Sequence, residues 1–325
     1  MLAKRPKMGA VGKTITLVGA AGAIGKSVAE ALHREGTQYR VVGRDRVSLT
    51  AAFGEDRLAE IATWDPMDNN SARTALCGSS ILIYLVGVPY DQFQLHPVLI
   101  RKTLDAAISE GVESILLIGT VYPYGMPQST PVTEDHPRQP NTFKGRMRKE
   151  QEDVLLDAHA AGAIRGAILR LPDFYGANVT KSFLHSLFEA AAKGGTANLV
   201  GPVDTPHEFV FVPDVGPVVT ALLREPGAWG RWWNLAGAVT QRELAERVFK
   251  MAGVKPRLRV AGKNLLRVLG IFNPMMREFV EMHYLMTNPV LMDDSALNSL
   301  LPGGIRKTPY EEGLRISLDA ARAGL

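Results

Sequence analysis

One cysteine, Cys77, stands in 325 residues, which excludes an intrachain disulfide framework and suits a reducing compartment. It lies in a segment mixing apolar and polar residues at helical spacing, so the thiol reads as packing rather than as a nucleophile. Histidine is also sparse. His33, His96, His136, His159, His185, His207 and His283 never fall at ligand spacing, so no metal site is expected. Neither sign of charge dominates, with 37 Lys and Arg against 33 Asp and Glu and a net charge of +4. Basic residues gather at Lys4-Arg5-Lys7, from Lys144 to Lys149 and from Lys255 to Lys263. No aromatic interleaving or nucleic-acid motif accompanies them, so they read as solvated faces or phosphate contacts, and nucleic acid is not an expected partner. Long apolar runs are missing as well. Met1 to Lys13 is charged and leads into a short β-rich run, not a secretory core. Leu265 to Met292 is rich in Met and Leu but broken by Pro274, Arg277, Glu278, Glu281 and Asn288-Pro289, so it cannot span a bilayer. A cytoplasmic protein without a membrane partner is expected.

The remaining composition, 46% hydrophobic and 22% charged, is that of an ordinary globular chain. Residues 15 to 25 are its most informative stretch. Thr14 to Val18 is β-rich and runs into Gly19, Gly22 and Gly25, while Ile24, Val28, Ala31 and Leu32 recur behind them at helical spacing. Gly19 permits a tight strand-to-helix turn, Gly22 lets the backbone approach a pyrophosphate, and Gly25 lets the helix pack on the strand. With Ala21, Ala23 and Ile24, these residues form a candidate dinucleotide cradle; the plainer alternative is a Gly-rich turn. The next strand ends in Gly43-Arg44, with Arg46 close behind. By resemblance to the dinucleotide-binding family named below, an acidic residue there would accept from the 2′-hydroxyl of NAD, whereas an arginine fork suits the 2′-phosphate of NADP. NADP(H) is the preferred cofactor and NAD(H) remains possible; solvated loop charges are the alternative for Arg44 and Arg46.

Strand and helix alternate through the first half. Strands are expected at 14–19, 39–43, 59–63, 81–87, 114–120 and 164–171, and helices near 22–35, 69–77, 92–111 and 145–162. This pattern predicts an α/β, Rossmann-type doubly wound parallel sheet over residues 1–175, with a later contribution from about 202–225. Residues 176–325 are expected to form a smaller, mostly helical substrate lobe. Near the C-terminus, Thr308, Pro309 and Glu311 predict a helix start with a Thr N-cap and a capping box.

The G-x-x-G-x-x-G spacing resembles that of the extended short-chain dehydrogenase/reductase family, the NAD(P)-dependent epimerases and dehydratases. The likeness extends through Trp64-Asp65-Pro66, Leu85-Val86-Gly87, Ile118 to Gly125, Pro131 to Asp135, Arg170 to Gly176, Phe209 to Val215 and Thr308 to Leu314. It implies that Asp65, beside Pro66, reads the adenine amino group and that Val86 and Gly87 pass the cofactor ribose. It also places Leu171, Pro172 and Asp173 near the nicotinamide, makes Thr120 the carbonyl-binding hydroxyl, and implies a homodimer through helices 92–111 and 145–162. Read as residues alone, Asp65 and Asp173 are turn formers, Thr120 is a β-former, and Tyr122 and Tyr124 are core aromatics.

The chain departs from this family at residues 140 to 152. The catalytic tyrosine, and the lysine four residues on, are replaced by Lys144 and Arg148 when Gly145 and Glu152 set the register. Three readings stay open. Lys144 is itself the acid/base, with Thr120 polarising the carbonyl. Alternatively, the acid is Tyr122, Tyr124, Asp173 or Tyr175, while Lys144 and Arg148 clamp cofactor oxygens. In the third, the fold is a non-catalytic NADP(H)-sensing or interaction module. Pro206-His207-Glu208 stands where related nucleotide-sugar enzymes carry a diphosphate-holding arginine, which weakens, without removing, an epimerase or dehydratase reading. Met275, Met276, Phe279, Met282, Met286 and Met292 read as core, or as a broad apolar pocket. The expected activity is NADP-dependent oxidoreduction of a small, fairly apolar carbonyl or alcohol.

Overall fold

The computed structural model describes residues 14–177, 179, 182 and 184–324; Met1 to Lys13, with its basic trio, lies outside the described residues. In the first half, strands β1 (Ile15–Val18), β2 (Tyr39–Gly43), β3 (Ala59–Thr63), β4 (Ile81–Tyr84), β5 (Ser114–Thr120) and β6 (Arg165–Leu171) alternate with helices α1 (Ala23–Arg34), α2 (Arg46–Phe53), α3 (Asn69–Leu76), α4 (Leu95–Ser109) and α5 (Phe143–Ala160). The later strands are β7 (Asp173–Tyr175), β8 (Ala197–Val200), β9 (Pro206–Phe211), β10 (Trp232–Asn234), β11 (Ala238–Thr240) and β12 (Leu258–Ala261). Between and after them come α6 (His185–Lys193), α7 (Val212–Arg224), α8 (Gln241–Ala252), α9 (Lys263–Phe272), α10 (Pro274–Met282), α11 (Tyr284–Thr287), α12 (Ser295–Leu300) and α13 (Tyr310–Arg322).

Seven strands form one parallel sheet in the order β10-β6-β5-β4-β1-β2-β3. Helices cover both faces, which is why its strands are apolar on both sides. Successive residues divide between two cores: Leu17, Val41 and Leu116 pack beneath α1 and α7, while Val18, Val42 and Leu117 pack beneath α3, α4 and α5. The fold is therefore a doubly wound α/β sheet of Rossmann type. The edge strand β10 extends the later contribution past the expected 202–225. A smaller body gathers the β7-β9-β11 sheet and the β8-β12 pair around Leu187, Phe249 and Leu314 from α6, α8 and α13.

Three local expectations are corrected. Helix α2 forms where the alternation predicts none, because the Asp45 carboxylate accepts from the amides of Val47 and Ser48 at 3.0 and 3.1 Å, and Leu49 and Phe53, one turn apart, are buried. Thr308 does not cap α13. Its hydroxyl donates to Asp214 Oδ1 at 2.6 Å and Pro309 takes the cap position, so no capping box forms. Cys77 is exposed at the C-terminus of α3 rather than packed.

Candidate functional site

The carboxyl ends of β1, β4, β5 and β6 meet along one edge of the sheet, where a parallel α/β fold leaves a crevice. At β1, Gly19 has φ +85°, and a Cβ there would lie 2.8 Å from the backbone of Val86. At Gly25 a Cβ would meet the Ala20 carbonyl oxygen at 2.1 Å. Gly22 differs, because a Cβ there would meet nothing within 4 Å. Gly22 caps α1 without a side-chain bond, and the first turn holds no acidic residue. The orphan amides of that turn, with Ala21, Ala23 and Ile24 beside them, are therefore left for an anionic oxygen. Gly87, just past Val86, also has open space where a Cβ would point. These features fit a dinucleotide.

Past β2 and β3, two carboxylates are committed to the backbone. Asp45 caps α2, and the Ser48 hydroxyl and amide hold it below the usual carboxylate range. Asp65, exposed before buried Pro66, accepts from the amide of Met67 at 2.8 Å and so forms the turn that its residue type suggests. Arg44 is exposed and has no ion-pair partner among the described residues.

Thr120, Tyr122, Leu171, Pro172 and Asp173 are brought together on a cavity of about 90 Å³, with His207, Glu208, Leu285 and Val290 completing much of its wall. Asp173 Oδ2 and His207 Nε2 lie 2.6 Å apart, and His207 Nδ1 is buried without a partner. Glu208 is also buried. Its Oε1 accepts from the amide of Met292 at 3.0 Å, its Oε2 is unpartnered, and burial pushes its carboxyl up to about 8. The Tyr122 and Tyr90 hydroxyls pair at 3.0 Å, and burial raises both phenols above their ordinary range.

Lys144, Arg148 and Tyr124 are not part of that wall. Lys144 is 1% exposed, and its ammonium is held by Glu278 and by Glu281, the latter at 2.6 Å, both from α10. The rings of Tyr90 and Phe93 lie 5.1 and 5.7 Å from the same nitrogen. An ammonium out of water requires such partners. Lys144 is thus paired with two carboxylates rather than left free at the cavity. Arg148 is buried between His96 Nδ1 at 3.1 Å and the Ile118 carbonyl at 3.2 Å. Burial and that guanidinium lower His96 to about 2, so the imidazole is neutral. Tyr124 is wholly buried and donates to Asn234 at 2.8 Å, beneath the loop. Arg170 binds Glu152 through Nε at 2.9 Å and Nη2 at 2.5 Å, tying β6 to α5. Met282, Met286 and Met292 are buried with Val121 and Tyr124 and so act as core; the Met275 side chain lies outside the described set.

Sequence reasoning missed Tyr90, Glu278 and Glu281 as the Lys144 cage, and it missed His207 as the partner of Asp173. The legible signal for the last was a histidine and a glutamate side by side in a strand whose following residues are all apolar. Among the described residues no His, Cys, Asp and Glu group could hold a metal, and no helix is long and apolar enough to cross a membrane.

A probable dTDP-4,6-dihydroxy-2-methyloxan-3-one 4-ketoreductase of Streptomyces antibioticus is 24% identical over 253 residues, spanning 74% of this chain and 77% of that protein. In structure, the chain is similar to the UDP-glucuronic acid 4-epimerase of Bacillus cereus, solved with UDP-glucuronic acid and NAD, at a TM-score of 0.80 and 17% identity over 96% of this chain and 100% of that one. A dTDP-glucose 4,6-dehydratase of Streptomyces venezuelae, solved with NAD, gives a TM-score of 0.78 at 17% identity over 95% and 97% of the two chains. The family model for the NAD dependent epimerase/dehydratase family matches residues 15–236. That span runs from the glycine turn through every strand of the sheet to the cavity wall, and the chain belongs to the NAD-dependent epimerase/dehydratase family.

Proposed function

We propose that the protein is an NADP-dependent oxidoreductase acting on a small, fairly apolar carbonyl or alcohol. The loop after β2 carries the cofactor reading: Gly43 presents no carboxylate, Arg44 is exposed, and Asp45, the next residue, is bound to the α2 amides. A guanidinium free of ion pairs is suited to a 2′-phosphate. Gly22 and the first turn of α1 would hold the pyrophosphate, and Val86, Gly87, Leu171 and Pro172 would flank the nicotinamide half. When bound, that cofactor supplies or accepts the hydride.

This chain's own residues handle the oxygen and its proton. Thr120 offers a hydroxyl at the end of β5, and in this reading it orients the substrate oxygen. The Asp173–His207 pair on the same cavity holds and moves the proton, because an imidazole hydrogen-bonded to a carboxylate can both give and take one. Tyr122 is less suited, since burial raises its phenol and its hydroxyl is paired with Tyr90. Lys144 is less suited because two carboxylates already bind its ammonium. It acts instead by fastening α10 against α5, with Arg148 bracing β5 through Ile118.

Calorimetric titration with NADPH, NADP, NADH and NAD, followed by an NADPH-consumption screen over aldehydes, ketones and enones, tests the reading. Preference for NADP(H) with turnover is expected; preference for NAD(H) overturns the cofactor assignment, and tight binding without turnover favours a sensing module. A nucleotide-sugar substrate is the second reading, favoured by the names of the relatives. Heat released on adding UDP or dTDP would support it. The cavity is small beside the roughly 300–1,000 Å³ of usual ligand pockets, so that substrate requires the wall carrying Leu285 and Val290 to move. A homodimer through α4 and α5 belongs to the same proposal, and mass in solution tests it.

A further inference from the structure

Helix α9 carries an apolar stripe that the fold leaves bare. Leu265, Val268, Leu269 and Phe272 recur at i, i+3, i+4 and i+7, the spacing of a helix face made to be covered. They are nevertheless 44, 56, 41 and 84% exposed. Leu266 and Gly270, on another side of the helix, are the buried ones, with Gly270 against the backbone of Arg277 in α10. Counting Val260 and Ile271, this short segment holds half of the large apolar side chains exposed among the described residues.

The charge around this stripe has one sign. From Arg247 to Arg277 the chain carries Arg247, Lys250, Lys255, Arg257, Arg259, Lys263, Arg267 and Arg277 and no Asp or Glu. The segment thus contributes +8 to a chain whose net charge is +4, so the remainder sums to −4. Lys255, Arg257 and Arg259 are exposed on and before β12, and Lys263 and Arg267, one turn apart, are exposed on α9 itself.

We infer that α9, with the basic strand before it, is a docking element for a bilayer surface carrying anionic lipid. The ten-residue helix is about 15 Å long and cationic, so it lies in the surface rather than crossing it. Its apolar stripe enters the boundary between headgroups and acyl chains, while the flanking cations meet lipid phosphates. A second copy of the chain suits this face less well, because self-association would bring two acid-free basic segments together. The inference does not depend on the cofactor or the reaction.

Co-sedimentation of the full chain with vesicles of phosphatidylcholine alone, and of phosphatidylcholine with phosphatidylglycerol in equal parts, is the test. At least about tenfold more protein should pellet with the anionic vesicles, and the excess should shrink as salt is raised. Phe272→Asp, and separately Lys263→Glu with Arg267→Glu, should abolish that excess. Because all three positions are exposed, an unchanged circular dichroism spectrum would show that these variants fold. Phe272→Trp should give indole fluorescence that shifts to the blue on anionic vesicles. Failure to pellet, equal binding to both compositions, or undiminished binding of Phe272→Asp overturns the proposal. It is equally overturned if vesicles capture nothing while mass in solution shows a dimer that Phe272→Asp dissociates, which would assign the face to a second copy.

Discussion

Two residues past β2, Asp45 caps a helix and leaves Arg44 as the charged side chain beside Gly43. Arg44→Asp should therefore weaken NADPH binding by tenfold or more, about 1.4 kcal/mol, with little change for NADH; equal losses for both would remove Arg44 from the 2′-phosphate. His207→Asn should lower kcat by about 10²–10⁴ while the Kd for NADPH stays put. Lys144→Met bears on the competing assignment. It leaves Glu278 and Glu281 facing each other without their cation, and unfolding should occur at lower temperature. The cost lies below the ~3–5 kcal/mol of a fully buried pair, because both carboxylates are about a quarter exposed. A variant with unchanged melting but no turnover would return the proton role to Lys144. The glycine cradle was legible in sequence because each requirement is local, a positive φ at Gly19 and a close approach at Gly25. The Lys144 cage was not, since its carboxylates lie 134 and 137 residues away.

Helices α1 and α7 cross with almost no space between them: a Cβ on Gly216 would stand 2.1 Å from the Ser27 carbonyl oxygen. Ser27 stitches the crossing, donating to the Val212 carbonyl at 2.8 Å and accepting from the Gly216 amide at 3.0 Å. Ser27→Ala should lower stability by roughly 1–3 kcal/mol, because two buried hydrogen bonds across the crossing are lost, and denaturant unfolding checks this. Apolar periodicity over two turns or more supports α1 and α4, whereas α3 and α5 were marked by the strand–helix alternation. It did not reveal α2, which offers only Leu49 and Phe53 to the core and rests on its cap. The tail shows the converse error. Thr308 fits a cap by type, yet the carboxylate of Asp214, 94 residues earlier, takes its hydroxyl and amide.

Across the whole molecule, two buried groups with large and opposite shifts contribute to the pH response. Glu208, raised from 4.5 to about 8, keeps a proton in the folded state that the unfolded chain has released, so stability falls as pH rises through that window. His96, lowered from 6.5 to about 2, refuses a proton that the unfolded chain accepts, so stability falls as pH drops below 6.5. Between pH 4.5 and 6.5 the two slopes oppose each other, and above 6.5 that of Glu208 prevails while the unfolded histidine gives up the rest of its proton. Urea unfolding at pH 6.5 and pH 8 should show a net loss of about 1 kcal/mol in the wild type and no loss in Glu208→Gln, which can still accept from Met292.

The edge strand β10 and the helix α7 come from residues 232–234 and 212–224, well after the rest of the layer they complete. During synthesis, then, the ribosome has released the glycine turn after β1 and the whole of β6 long before the pieces that shield α1 and the open edge of β6 exist. A nascent chain ending near residue 175 exposes Val28 and Leu32 and an unpaired strand, features that invite chaperones and aggregation. The nucleotide-binding half is thus not a module that can be cut out or recombined at 175; its smallest self-contained form includes the start of the second lobe.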